Sequence, residues 1–325
     1  MSVAITTKTQ VPNINAYYDR TLLERATPLL LHTKFGQVRD IPKNNSDVIK
    51  FRKYSALSAA STPLTEGVTP NGSQLAVTDS TATVLRYGDY VTLTDKLKTE
   101  TEDAVETEAT QILAEQAALT LDGLAKEILS ATTTIQYAGA ATQRTEVTAA
   151  MKLTVAEIRE AVRTMKNNKA KKITSMVDAS SGYGTSPVDA CYVAIVHPNA
   201  TYDLKGDSAW VSIEKYAGTI KGGAMPGEMG KLDGSPASLK RPKLRFILAE
   251  GASSADVYAT LIFGANAYGV TRISGEAMKT IRKRLGSGGT ADPLNQRSSI
   301  GWKASFVTKI LDQLNMIKIE HGVTA

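Results

Sequence analysis

The stretch 99–129 constrains this chain most, because its pattern demands a long helix and its length dictates what can lie alongside. Val105, Ala109, Ile112, Leu113, Ala117, Leu121, Leu124 and Ile128 recur at three- and four-residue steps, one stripe of a 3.6-residue period. No glycine precedes Gly123 within it, and it holds no proline. Thr99 stands three residues before Glu102, as in a capping box. Glu100, Glu102, Asp103, Glu106 and Glu108 suit the positive end of the helix dipole. At 1.5 Å per residue such a helix is roughly 45 Å long. Something elongated must lie along it.

The segment before the helix is as informative. Residues 55–79 carry only Glu66 and Asp79 as ionised side chains and are otherwise rich in Ser, Thr, Ala, Gly and Pro. The alternating run 81–94 reads as one long strand and residues 47–54 as its partner. Between them Glu66-Gly67 and Pro70-Asn71-Gly72 are turn chemistry, which predicts a long hairpin with a projecting tip. A lone two-stranded hairpin is marginal in water, and this tip has too few large apolar residues to build a core. Its expected partner is another chain.

With 325 residues and 42% apolar content the chain suffices for one large or two modest domains with a real core. Cys191 is the one cysteine, which excludes a disulfide framework and a multi-cysteine zinc site and fits a reducing compartment. Its place in an apolar run suits a small buried hydrophobe. Residues 1–8 lack the apolar core of a signal peptide, and no window approaches twenty uncharged apolar residues. The expectation is a protein made in a cytoplasm, with no membrane partner. A net charge of +6 permits contact with nucleic acid without indicating a dedicated binder.

Taken in order, residues 1–12 read as an arm, and Asn15 can cap a short helix with Tyr18, Leu22, Ala26 and Leu29 on one face. Residues 34–37 and 41–45 read as linkers. After the long helix comes a polar passage, 132–148. A second helix follows, with Thr154 and Glu157 as its capping box and Val155, Ile158, Val162 and Met165 on one face. Lys166, Lys169, Lys171 and Lys172 crowd its C-terminal end. Residues 191–196 read as a strand buried on both faces and closed by His197-Pro198, and a short helix ends at Gly206. Trp210 and Tyr216 fall in an irregular segment before the glycine-rich stretch 222–234. Residues 244–248 and 257–263 read as strands, the second cleanly alternating, and 300–319 again has strand character. No internal repeat is visible.

Gly222 to Lys231 superficially suggests a phosphate loop, but Met225 stands where Gly is required, Leu232 where a hydroxyl should follow Lys231, and Pro226 removes a backbone donor. A contact loop is the better reading. His32, His197 and His321 are scattered, with no second His or Cys at ligand spacing. Ser180-Ser181-Gly182-Tyr183-Gly184 lacks the flanking glycine and preceding strand of a nucleophile elbow. No catalytic, cofactor or metal residue is predicted. Three basic clusters remain, at 166–172, 240–245 and 279–284. Without interleaved aromatics or a reading helix, they could meet phosphates only non-specifically. Lys169, Lys171, Lys172, Arg282, Lys283 and Arg284 are the candidates for a DNA-facing surface.

Tyr17-Tyr18-Asp19-Arg20 with Leu22-Leu23-Glu24-Arg25, Lys34-Phe35-Gly36-Gln37, the run 258–264, and Tyr268-Gly269-Val270 resemble, in that order, the N4-type family of tailed-bacteriophage major capsid proteins. The most specific block is Asp292-Pro293-Leu294-Asn295-Gln296-Arg297, followed by Ile300-Gly301-Trp302-Lys303. The resemblance implies an α+β, Hong Kong phage-type capsid fold. Its parts would be an N-terminal arm (1–45), an extended hairpin loop (46–95), a peripheral domain with a long spine helix (96–150), an axial domain around a mixed sheet (151–290), and strands returning to the peripheral domain (291–325).

It implies a coat protein that self-assembles, as hexamers and pentamers, into an icosahedral virion shell around double-stranded DNA. It implies synthesis in the host bacterial cytoplasm, with portal, scaffolding and decoration proteins as further partners. Leu64, Glu66, Val68, Trp210, Tyr216 and Arg297 are the inter-subunit contact candidates, with the block of Asn295, Gln296 and Arg297 expected to serve either a local turn or, the favoured reading, a junction between axial and peripheral parts. The alternative from another class is a non-enzymatic DNA-binding or scaffold-like phage accessory protein.

Overall fold

The structure is a computed structural model that describes residues 30–64, 66–69, 71–100, 105–173, 191–207, 209–212, 228–232, 235–240, 247–250, 256–275, 278–288 and 292–324. A short strand, β1 (Gln37–Ile41), precedes β2 (Val48–Tyr54), β3 (Val77–Thr83) and β4 (Leu85–Thr94). Two helices follow, α1 (Asp95–Glu100) and α2 (Val105–Ser130), then β5 (Ile135–Tyr137) and α3 (Val155–Asn167). Next come β6 (Val193–Val196), α4 (Pro198–Lys205), β7 (Trp210–Ser212), β8 (Glu228–Leu232), β9 (Ser235–Lys240) and β10 (Ile247–Glu250). The last strands are β11 (Asp256–Phe263), β12 (Tyr268–Ile273), β13 (Lys279–Lys283), β14 (Arg297–Ile310) and β15 (Met316–His321).

β14 organises the first sheet. One of its edges carries β4 antiparallel from Arg297 to Phe306, and the other carries β13 and then β12, with β1 parallel beyond β12. Ile300, Trp302, Ala304 and Phe306 share one face, as a period of two requires, and pack in one core with Leu113, Ala117 and Leu121 of α2. The helix lies close because the side it buries is largely alanine: Ala109, Ala114, Ala117, Ala118 and Ala125 are all buried. Ile112 and Ile128, expected on the buried stripe, are exposed instead.

The helical region also begins earlier than expected. Thr94 Oγ1 accepts from the Leu97 amide at 3.3 Å, while Glu102 of the expected capping box lies outside the described residues. The predicted strand 81–94 is two strands that part at Val84, so β3 pairs with β2 while β4 belongs to the main sheet. Val84 is buried and its amide donates to the Asp47 carbonyl at 2.8 Å, closing the root of the hairpin. Residues 37–41, read in part as linkers, form β1 against β12.

The second sheet runs β5-β15-β11-β6-β9-β8-β7, with β10 also on β11, and is mixed, since β5 joins β15 and β9 joins β6 in parallel. Its central strands are covered on both faces. Ala259, Leu261 and Phe263 of β11 enter the core shared with α2, whereas Tyr258 and Ile262 enter a second core with α3 and α4. The alternation read in β11 therefore sorts residues between two cores and not between core and solvent. α3 begins with the expected capping box of Thr154 and Glu157, and Val155, Ile158 and Met165 are buried. β6 is buried throughout and ends at His197-Pro198, Cys191 is buried, and α4 ends at Gly206, all as expected; the His197 side chain in addition caps α4 by accepting from the Asn199 amide. Residues 228–232 of the glycine-rich stretch are strand β8. The helix expected after Asn15 and the segment 180–184 lie outside the described residues.

Burial extends to charged groups, and the buried carboxylates Asp122 and Glu320 are each held by several partners. Asp122, in the middle of α2, accepts from the Leu31 and His32 amides at 2.7 and 2.8 Å and meets His32 Nδ1 at 2.6 Å. Tyr268 donates its hydroxyl to the His32 carbonyl at 2.6 Å, and burial raises the pKa of this phenol. Glu320 is held in a bidentate pair by Arg144, with Nη2 to Oε1 at 2.7 Å, and by Lys318 Nζ at 2.9 Å. Burial works to raise the Glu320 pKa, but these two cations outweigh it and hold the carboxyl below its ordinary range.

His321 is fully buried, with Nε2 2.9 Å from Thr260 Oγ1 and Tyr258 stacked near it. Burial lowers its pKa from 6.5 to about 4, with Asp203 working against the shift and His197 with it. A histidine that resists its proton when folded stabilises the fold fully above about pH 6.5, and that contribution is lost as pH falls towards 4. The loss amounts to about 3 kcal/mol. His321→Gln is therefore expected to flatten the fall in melting temperature between pH 7 and pH 4. An unchanged slope would show that His321 does not drive acid sensitivity.

Candidate functional site

The most exposed ordered feature is the hairpin. Its strands pair from Val48 opposite Thr83 to Tyr54 opposite Val77, and a last backbone bond joins the Ser55 amide to the Ala76 carbonyl at 2.9 Å. Arg52 and Asp79 face each other across it, with Nε to Oδ1 at 2.9 Å. The guanidinium lowers the Asp79 pKa by hydrogen bonding. The body grips the root in two places. Phe51 lies over Gly269 of β12, where a Cβ would come within 2.7 Å of its ring, so Gly269 leaves the space the ring occupies. Lys53 Nζ reaches Asp312 Oδ2 at 2.5 Å. Beyond Ser55 the described tip residues are all exposed, including Leu57, Leu64, Val68 and Leu75, with Leu64 78% accessible. Gly67 takes φ 77°, a left-handed turn position.

A second exposed feature is the open side of the first sheet. α2 covers the face bearing Ile300 and Trp302, and Gln116 of the helix bonds both Trp302 Nε1 and Asp89. Opposite lies a groove of about 650 Å³ bordered by Arg86, Tyr90, Ile281, Lys283, Gly301 and Lys303. Gly301 is required there, since a Cβ would stand 2.6 Å from Tyr90 Cβ and 2.7 Å from the Asp89 carbonyl.

The Asp292 block forms a junction. Asp292 is nearly buried, and its carboxylate accepts from the Gln296 amide at 3.1 Å and the Arg297 amide at 2.8 Å. Asn295 takes φ 55°, and the Gln296 carbonyl accepts from the Asp95 amide at 3.0 Å. The turn thus ties the start of β14 to the start of α1. Asp292 organises it, where Arg297 was the residue singled out from the sequence.

A family model described as phage capsid protein matches residues 77–319. The chain belongs to that family. The matched span runs from the hairpin's second strand into β15 and so includes α2 and every strand of the two sheets except β1. The capsid-family chain is also 32% identical over 121 residues to a major capsid protein of Pseudomonas phage KPP21. That stretch covers 35% of this chain and 30% of the relative. The capsid of Ralstonia phage GP4 superposes with a TM-score of 0.66 at 14% identity, over 90% of each chain. The capsid asymmetric unit of cyanophage Pam1 does so with 0.64 at 18% identity, over 92% of each. At those identities the likeness shows the fold, a mixed α+β phage capsid fold.

Within this capsid-family chain Leu64, Glu66 and Val68 sit together on the exposed tip and Arg297 is exposed at the head of β14. Trp210 is 5% exposed inside the second core, with Gly230 against its indole, so its role is packing and not contact with a neighbour. Tyr216 lies outside the described residues. Arg282 departs from the predicted basic surface, because it alternates inward on β13 and pairs with Glu106 of α2. Lys283 and Arg284 are exposed at the end of β13, and Lys169, Lys171 and Lys172 are exposed after α3, on a different part of the fold. Sequence reasoning put Lys279 in one basic run with Lys283 but missed Arg86 and Lys303 as their companions. The period-two spacing of Lys279, Ile281 and Lys283 was the available signal. Among the described residues no group of His, Cys, Asp or Glu could hold a metal ion, and no helix is long and apolar enough to cross a membrane.

Proposed function

We propose that this chain is the major capsid protein of a tailed bacteriophage, of the N4 type, whose copies close into an icosahedral shell of hexamers and pentamers around double-stranded DNA. Its role is structural and not catalytic. Residues 1–45 are the arm, 46–95 the extended loop, 96–150 the peripheral domain with α2 as its spine, 151–290 the axial domain, and 291–325 the return. Portal, scaffolding and decoration proteins are its further partners, and its site of action is the virion.

The observation that carries this reading is the hairpin: a rooted, ordered ribbon that presents Leu57, Leu64, Val68 and Leu75 to water. Covering these four side chains is worth about 1.5 kcal/mol each, so each copy gains a contact of a few kcal/mol from a neighbour. A closed array sums many such contacts. Purified full-length chain examined by sedimentation and negative-stain microscopy is expected to yield megadalton closed particles. Material that stays monomeric under all assembly conditions, while binding nucleic acid, would instead assign the accessory role.

A further inference from the structure

The open side of the first sheet holds a feature that the shell reading leaves unexplained. Because Ile300 and Trp302 face α2, their neighbours Ser299, Gly301 and Lys303 face outward, and the register extends this face across three strands. Lys303 lies between Gly88 and Lys279, Gly301 between Tyr90 and Ile281, and Ser299 between Thr92 and Lys283. Arg86 stands opposite Ser305 and Arg297 opposite Thr94 at the two ends. The face therefore carries Arg86, Lys279, Lys283, Arg297 and Lys303, and none of its positions on β4, β13 or residues 297–305 is Asp or Glu. Asp89 turns to the other side, where Gln116 holds it.

Two facts point to an anionic partner. Lys279, Lys283 and Lys303 are exposed and make no ion pair among the described residues. Lys279 and Lys303 are direct cross-strand partners with Cβ atoms about 5 Å apart, a destabilising like-charge placement that an anion lying over it would relieve. The cations extend roughly 26 Å along the strands, from Arg297 to the Arg86–Ser305 rung, at about 3.3 Å per residue. Against these three lysines a second copy's hairpin tip offers one carboxylate, Glu66, across residues 55–78. A DNA duplex presents a charge every 1.7 Å or so of its axis.

Resting on the capsid reading, we propose that this face of β4, β14 and β13 binds the phosphodiester backbone of double-stranded DNA without sequence preference, with Tyr90 and Ile281 as the central contact between the charged rungs. The lysines after α3 are not the main site.

The test titrates unassembled full-length chain with a 30-base-pair duplex over a range of salt concentrations. Lys279→Gln, Lys283→Gln and Lys303→Gln combined should make the slope of log affinity against log salt shallower by about 2 to 3, at about 0.9 per phosphate contact. Affinity near 0.1 M salt should fall at least tenfold. Lys169→Gln, Lys171→Gln and Lys172→Gln combined should change it less than twofold. Lys303→Gln alone serves where the triple variant folds poorly, with an expected slope change near 1 and an unchanged or raised melting temperature. Equal slopes for wild type and the β13/β14 variants overturn the proposal, as does an equal loss in the α3 variant. Unchanged DNA affinity with lost particle formation overturns it in favour of a subunit contact. Particle yield of the wild type is scored separately, so failure to form shells counts against the capsid reading alone.

Discussion

A chain lacking residues 59–76 folds, stays soluble as a monomer or small oligomer, and forms no shells. The described residues among those excised make no contribution to either core, and pairing of β2 with β3 ends at the Ser55 to Ala76 bond, so the remaining ribbon can be closed by a short turn. Its root stays held by Phe51 over Gly269, Lys53 with Asp312, and the Val84 amide on Asp47. What is removed is apolar surface that only a neighbour can cover. The expected melting temperature is within a few degrees of wild type, and the expected particle yield is nil. Shells of normal size from the deleted chain would show that the tip is not an assembly element.

Ala117→Pro carries the other large effect, on stability. Ala117 is fully buried in the middle of α2, against the sheet face of Ile300 and Trp302. Proline there removes a helical hydrogen bond and drives its ring into the preceding turn, at a cost of about 3 kcal/mol. Forcing the added bulk into an alanine-lined contact adds a further 1 kcal/mol or so. Against a total stability of about 5–15 kcal/mol the expected outcome is insoluble or unassembled protein. A thermal unfolding curve identical to wild type would show that α2 does not bear on the core as described.

The long helix, both capping residues of α3, the buried β6 and the hairpin were legible because each rests on local chemistry: a period, a cap, an unbroken apolar run. The errors have a common origin in contacts distant along the chain. Ile112 and Ile128 satisfied the helical period, but the close approach of β14 selects alanines for the contact and leaves larger side chains outside. Val84 looks like one more residue of a strand, and only its burial at the hairpin root divides β3 from β4. Asp122 sits in the helix as an ordinary acid until His32, 90 residues earlier, is placed against it. Arg282 read as part of a basic run, whereas on a strand its side chain is turned opposite to those of Ile281 and Lys283, towards Glu106. At the candidate site, the exposed tip could be read from its composition. The basic face could not, because its members come from three strands that are remote in sequence.

The placement of β14 and β15 has a consequence for how the subunit is made. Each lies inside its sheet, β14 between β4 and the β13–β12 edge and β15 between β5 and β11, although the neighbours β4 and β5 are synthesised about 200 residues sooner. Until residues 297–321 have left the ribosome neither sheet can close, and the alanine face of α2 lacks β14, its main partner. The topology is one of high contact order, slow to fold and late to commit. A prematurely terminated chain thus lacks an inner strand of each sheet, and cannot offer a correctly rooted hairpin to a growing lattice. Quality control over building blocks is in this way written into strand order.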